Sequence, residues 1–367
     1  MTPLKLEHGL ELFRSILSQA PGREVVIEAC ISDCNGHGRS LETLALHLRN
    51  PACREIDSYS AIMDAISDQV KGSLQEVSIE MVTLALAGTY VSLSDQVNMF
   101  GGLKRTVSQC ISAGYYLNSL TGGEKTVIPQ LSPLILRAFA RAEISNPPLK
   151  SFCECILNML NLETNFHAKL YEKFHANWEV LIRLIKDIGK PISLLKFYGI
   201  EARDTDPTPI LQFLPKEKIV EVKKRDLTTD DIGNRFVILP QFINTPGYDI
   251  ALGEQRVDGS PFVIALQCKW SHENATTTLS KAEVTTAWTN MTKELVAIPE
   301  ERLFLVALAW RNTTKDLNTL HTQDIPGTDP PKKHRILVLN KEQLQQLYSP
   351  TLIQRPEFLM TLPKIEK

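Results

Sequence analysis

The residues of this 367-residue chain best suited to chemistry sit in one stretch, Pro246 to Ser271, PGYDIALGEQRVDGSPFVIALQCKWS. Asp249, Gln267 and Lys269 supply a carboxylate, an amide oxygen and an ammonium group. A carboxylate with a second oxygen donor is what a hard divalent cation binds, and a lysine beside them steadies charge on a bound water or a phosphate. Residues 261 to 270 alternate, with Val263, Ala265, Gln267 and Lys269 on one face and Phe262, Ile264, Leu266, Cys268 and Trp270 on the other. Gln267 and Lys269 therefore point the same way. Asp249 falls on the first strand of the same predicted hairpin. If Asp258-Gly259 is a two-residue turn, Asp249 lies opposite Cys268. A one-residue bulge or a longer loop is then needed to bring the three side chains to one face. An ordinary hairpin with a surface Asp and Lys is the alternative.

An acid on one strand followed by (Glu or Gln)-x-Lys on the next resembles the motif of the PD-(D/E)xK nucleases. Gln267 in the Glu position resembles the Q-x-K variant of Mrr-like restriction enzymes. The resemblance implies Mg2+ (or Mn2+) held by Asp249 and Gln267, with Lys269 stabilising charge. Gln offers a carbonyl oxygen but no charge, so metal binding should lean on Asp249 and on a Glu from the preceding helix, as many such nucleases contribute. The longest helical pattern, residues 163 to 187, carries Phe166, Leu170, Phe174, Trp178, Leu181 and Ile185 at steps of three and four. Its other side carries Glu172, His175 and Glu179. The run YEKFHANWE resembles the corresponding helix of Crinkler nuclease domains, and it makes Glu172 or Glu179 the implied ligand without choosing between them. Two solvated charges are the plainer reading.

The elements that must position these residues follow in order. A polar region from Asp204 to Leu214 leads to a short basic cluster, Glu221-Val222-Lys223-Lys224-Arg225, suited to a phosphate backbone or to a solvated loop. Arg235 to Phe242 reads as a strand that Pro240 makes an edge or a bent one. After the hairpin come a helix over about 280–296, a buried strand from Leu303 to Trp310, a loop ending at Pro330 to His334, a strand from Ile336 to Leu339 and a helix at 341–347. Helix, three strands, helix and two strands is the order of a restriction-endonuclease-like core, and order and motif agree. Asn146-Pro147-Pro148 is the expected boundary before this domain.

Upstream, residues 5–18, 22–31 and 40–49 have helical periodicity. Between the second and third stands Asp33-Cys34-Asn35-Gly36-His37-Gly38-Arg39-Ser40, with Ser40 predicted as a cap and Glu42 in the first turn. With the LE that follows, this run resembles the G-G-H-P-R-S-L-E motif of the helical lid in STAND-type ATPases of Crinkler and retrotransposon hot-spot proteins. Asn35 replaces the first Gly and Gly38 the Pro, and Arg39 would face the nucleotide. No G-x-x-x-x-G-K-(S/T) stands in the chain, and Thr121 to Thr126 fails its spacing, so no ATP hydrolysis is expected. Either an N-terminal P-loop region is missing or the lid is a remnant; a third reading is assembly with a P-loop ATPase partner. Residues 75–86 and 104–113 read as helices, followed by Tyr115 to Leu120, a Gly122-Gly123 turn and Thr126 to Pro129. That is the make-up of a winged helix, with an interaction or spacer module as the alternative. The expectation is α+β overall: an all-α lid over 1–70, a winged helix over 71–145 and an α/β restriction-endonuclease-like domain over 150–367.

Hydrophobic content of 43% and charged content of 22% are those of a globular protein, and the net charge of −2 confines any nucleic-acid surface to a local patch. Seven irregularly spaced Cys suggest reduced thiols in an intracellular compartment. Cys30, Cys34 and His37 have part of a metal-site spacing without a second pair, so they read as packing groups. There is no signal-peptide pattern and no apolar run of membrane length, so no membrane partner is expected. The family resemblance implies DNA as substrate and an effector that enters the nucleus, although no basic import run is present. The alternative is a non-catalytic nucleic-acid or protein-binding module on a degenerate nuclease fold.

Overall fold

The computed structural model describes residues 5–19, 22–34, 36–50, 58–71, 78–99, 102–113, 117–120, 125–142, 147–161, 167–185, 189–201, 208–223, 227–241, 247–270, 278–315, 317, 319–321 and 335–353. Helices and strands are both abundant, making the chain a mixed α and β protein. It divides into two compact units, Met1–Phe166 with Tyr348–Lys367, and His167–Leu347. The second unit is thus inserted into the first, and the division falls after Phe166 rather than at residues 146–148. Pro147 opens a helix instead of ending a domain, since Pro in a first turn leaves no helical hydrogen bond unmade. No described helix is long and apolar enough to cross a membrane.

The first unit opens with helices α1 (Leu6–Leu17), α2 (Glu24–Asp33), α3 (Gly38–Arg49), α4 (Tyr59–Lys71) and α5 (Ile79–Ala87). The cap of α3 is His37, not Ser40: its Nδ1 accepts from the Ser40 backbone N–H at 3.2 Å and meets the Ser40 hydroxyl at 2.8 Å. Ser40 is buried as the third residue of the helix, and with the start at Gly38 the helix has no acid in its first turn, so Glu42 lies beyond it. Strands β1 (Val91–Ser92), β2 (Gln96–Asn98) and β3 (Lys104–Thr106) precede α6 (Val107–Ser112), then β4 (Leu117–Leu120), β5 (Thr126–Gln130), α7 (Pro133–Ala140) and α8 (Pro147–Leu160). The helix expected over 104–113 begins only at Val107. Lys104–Thr106 instead pair with β2, and Thr106 and Gln109 form a reciprocal capping box. The expected hairpin is present, as β4 and β5 pair antiparallel and β1 adds to β5; Tyr115, Tyr116 and Gly122-Gly123 lie outside the described residues.

The second unit runs α9 (His167–Ile185), β6 (Pro191–Ser193), α10 (Leu194–Phe197), β7 (Ile210–Gln212), β8 (Lys218–Val222), α11 (Thr229–Ile232), β9 (Phe236–Pro240), β10 (Ile250–Arg256), β11 (Pro261–Trp270), α12 (Lys281–Glu294), β12 (Leu303–Trp310), β13 (Leu320–His321), β14 (Ile336–Leu339) and α13 (Lys341–Leu347). Its sheet follows the order β13-β14-β12-β11-β10-β7-β6, with β9 also on β10 and β8 on β9. The short strands β6, β7, β8 and β13 escape the sequence pattern, being too brief to display a period. Because β9 has a neighbour on each side, Pro240 marks the end of that strand rather than an edge.

Strand β11 sits at the centre, antiparallel to β10 and parallel to β12, and α12 makes the crossover a parallel pair requires. Every residue of β12 is buried, as a strand covered on both faces must be. On one face Val263 and Ala265 pack with Val284, Trp288 and Met291 of α12. On the other, α9 approaches through Tyr171, whose ring lies 6.3 Å from that of Trp310, and through Arg183, which pairs with Glu254 of β10.

Candidate functional site

Hairpin register decides whether the site can form. Ile250 pairs with Leu266 and Gln255 with Pro261, a register one residue away from that of a two-residue turn, and Asp249 stands just ahead of the ladder. The two-residue turn is therefore replaced by the longer loop. Val257-Asp258-Gly259 closes the hairpin, with Arg256 N–H donating to Ser260 O and Gly259 N–H to Arg256 O, both at 2.9 Å. Gly259 adopts φ +81°, the left-handed position that a three-residue hairpin needs and that glycine fills without steric cost.

Just before β10 the ladder is completed by a side chain. The Asp249 N–H donates to Leu266 O at 2.8 Å, and its Oδ2 accepts from the Cys268 N–H at 2.7 Å, where the next backbone acceptor would otherwise stand. Gly247 lets this segment run against α12: a Cβ there would fall 2.4 Å from the Met291 backbone nitrogen. The carboxylate is thus held at the rim of the sheet by two neighbours of fixed position.

Of the two candidate glutamates, Glu172 is the one brought to Asp249. Burial, with the Glu172 charge adding to it, pushes the Asp249 carboxyl up to about 7, against the Cys268 N–H, Lys269 and Lys169. Burial also raises Glu172, opposed by Lys169, whose Nζ donates to Glu172 Oε2 at 2.8 Å and to Pro240 O at 3.3 Å. By strand alternation Gln267 and Lys269 belong to the face that α12 covers, while Glu172 belongs to the helix on the opposite face. Asp249, at the rim, interacts with both sides. Burial and Arg311 lower Lys269, opposed chiefly by Asp249; Arg311 itself pairs with Glu283 of α12 at 2.7 Å.

Glu179 lies elsewhere. It is fully buried in a network with His175 and Tyr198, each at 3.0 Å, and with Arg183. Arg183 continues to Glu254 at 2.9 Å, and Lys216 meets Glu254 at 3.2 Å. Burial alone would raise Glu179, but Arg183 and His175 outweigh it and hold the carboxyl at about 2. Its charge is committed to holding α9 on the sheet. Sequence reasoning missed Arg183, Tyr198, Lys216 and Glu254 because they meet only across the fold. Lys169 was within reach, three residues before Glu172 on one helix.

No family model, curated protein or solved structure matches this chain. Its chemistry must be read from the donors themselves. Among the described residues no group of three or more His, Cys, Asp or Glu side chains could hold a metal ion, and Cys30, Cys34 and His37 are each buried. On the α12 face an orphan oxygen stands: Gln267 is only 4% exposed and its Oε1 has no hydrogen-bond partner. Two half-buried carboxyls, with the Glu172 charge raising Asp249, offer oxygen donors of the kind a hard cation takes. Arg39, assigned to a nucleotide by resemblance, is exposed in the first turn of α3.

Proposed function

We propose that residues 167–347 form a divalent-cation-dependent phosphodiesterase that cleaves DNA on a restriction-endonuclease-like core. The observation that carries this reading is the Asp249 carboxylate fixed at the rim of the sheet by the Cys268 N–H, with Glu172 near enough to raise it. The order α9, β9, β10, β11, α12 and β12 supports it as well. Asp249 and Glu172 would hold Mg2+ or Mn2+, which when bound would polarise the phosphate and make its water more acidic, while Gln267 lies by alternation on the α12 face. Asp249 is kept in place by the Cys268 N–H. Lys269 brings an ammonium to the scissile phosphate and offsets charge as it develops, and the Glu283–Arg311 pair borders that lysine on the α12 side. In the first unit, the β4–β5 hairpin with β1 and α6 supports a winged helix, and α1 to α4 a lid-like bundle. A nuclear effector of Crinkler type is the biological setting these readings suggest.

A plasmid-nicking assay tests the proposal, run with Mg2+, with EDTA, and with Asp249→Ala and Lys269→Ala. Cleavage that needs the cation and is lost in both variants supports it; cleavage that survives either substitution removes the site. A second reading, a non-catalytic nucleic-acid or protein-binding module, is favoured by one observation: Lys169 already supplies Glu172 with a cation. Under that reading Mg2+ gives no thermal stabilisation, whereas a cation held by the native site raises the melting temperature with concentration.

A further inference from the structure

Beside the carboxyl pair lies a cleft of about 250 Å³ lined by Lys169, Lys173, Glu221, Leu239, Pro240 and Gln241. It is smaller than the roughly 300–1,000 Å³ of a typical small-molecule pocket. Two ammonium groups from successive turns of α9 face it, and they meet one carboxylate. That carboxylate is engaged already, as Gln241 Nε2 donates to Glu221 Oε2 at 2.7 Å. The Lys169 ammonium has three donors, and two are spent on Glu172 and Pro240 O. The third remains for something in the cleft. Lys173 is exposed. An exposed ammonium on Lys173, a spare N–H on Lys169, an apolar floor of Leu239 and Pro240, and little depth suit a single phosphodiester group better than a folded metabolite.

We infer that this cleft seats a backbone phosphate next to the one cleaved, with Lys169 and Lys173 as its contacts. The inference rests on the nuclease reading, because Lys169 links the cleft to Glu172 of the proposed cation site. Lys169 then acts at both places, as counter-ion to Glu172 and as phosphate donor. It sets the position of the strand and reads no sequence, since a phosphate contact positions without specifying.

The test measures binding of a fluorescent 20-mer duplex to the full chain in EDTA, by anisotropy, from about 50 to 200 mM salt. Each lost phosphate contact should lower the slope of log K against log[salt] by about 0.9 for B-form DNA. Lys173→Gln and Lys169→Gln should each lose about that much, while Lys196→Gln, an exposed lysine outside the cleft, should lose nothing. Unchanged slopes in both cleft variants, or an equal loss in Lys196→Gln, overturn the inference. So does a wild-type protein that fails to bind the duplex. None of these outcomes touches the nuclease reading, which the nicking assay with Asp249→Ala decides on its own.

Discussion

Two acidic residues of one helix, seven positions apart, have opposite fates because their neighbours differ. Burial raises Glu172 by more than its one lysine lowers it, so its proton is held more tightly; at Glu179 an arginine and a histidine outweigh burial, so its charge is held. The stability consequences have opposite signs. Native Glu179 titrates at about 2, below the roughly 4.3 of an unfolded glutamate, so its contribution is present above about pH 4.3 and is lost as pH falls towards 2. Glu179→Gln leaves Arg183 without a charged partner on that side, and chemical denaturation at pH 7 should show a loss of about 3–5 kcal/mol. Native Asp249 keeps its proton up to about pH 7, whereas an unfolded aspartate releases it near 4. The native state binds more protons across that window, so Asp249 makes stability fall as pH rises from about 4 to 7. Asp249→Asn should therefore melt with a flatter pH dependence than wild type over this range. An unaltered slope would mean that Asp249 is not the proton-holding acid described.

At the scale of elements, the hairpin shows what pattern can and cannot convey. The alternation of β11, the buried run of β12 and the long amphipathic α9 were legible, because side chains packed on both sides of a sheet leave a period of two or an unbroken apolar run. The faces of Gln267 and Lys269 followed from that period alone. Their register with Asp249 did not, because it depends on loop length, and Asp258-Gly259 fits a two-residue turn as well as the end of a three-residue one. Nor was the choice of Glu172 over Glu179 legible, since it turns on Arg183 and Glu254 meeting across the sheet. Backbone approach is equally silent in sequence. Gly247→Ala would place a methyl group 2.4 Å from the Met291 nitrogen, where backbone and not a flexible side chain must yield. The expected cost is about 1–3 kcal/mol or more, seen as a lower melting temperature together with weaker Mn2+ binding by calorimetry, because Asp249 moves with its segment. Gly259→Ala, in open space but at φ +81°, should cost only about 1 kcal/mol and leave Mn2+ binding intact. Equal effects on metal binding in the two variants would break the proposed link between Gly247 and the site.

At the scale of the whole chain, a net charge of −2 leaves no general attraction for nucleic acid, so any binding must come from local charge such as the cleft lysines. The division into units sharpens where activity should reside. Asp249, Gln267, Lys269, Glu172 and the network around Glu179 all lie within His167–Leu347, which has its own buried core on β10, β11 and β12. It falls within the roughly 50–250 residues of an independently folding domain. Its charged core residues find their partners inside the same segment: Arg183 with Glu179 and Glu254, and Lys216 with Glu254. Cutting the chain at 167 and 347 therefore strands none of these buried charges. The excised segment should unfold in one cooperative transition by circular dichroism and should nick plasmid in Mg2+ at a rate within about tenfold of the full chain. An active full chain paired with a folded but inactive fragment would place an essential group in the first unit. A fragment that fails to fold would mean that its core, although complete in charge, needs the first unit for apolar cover.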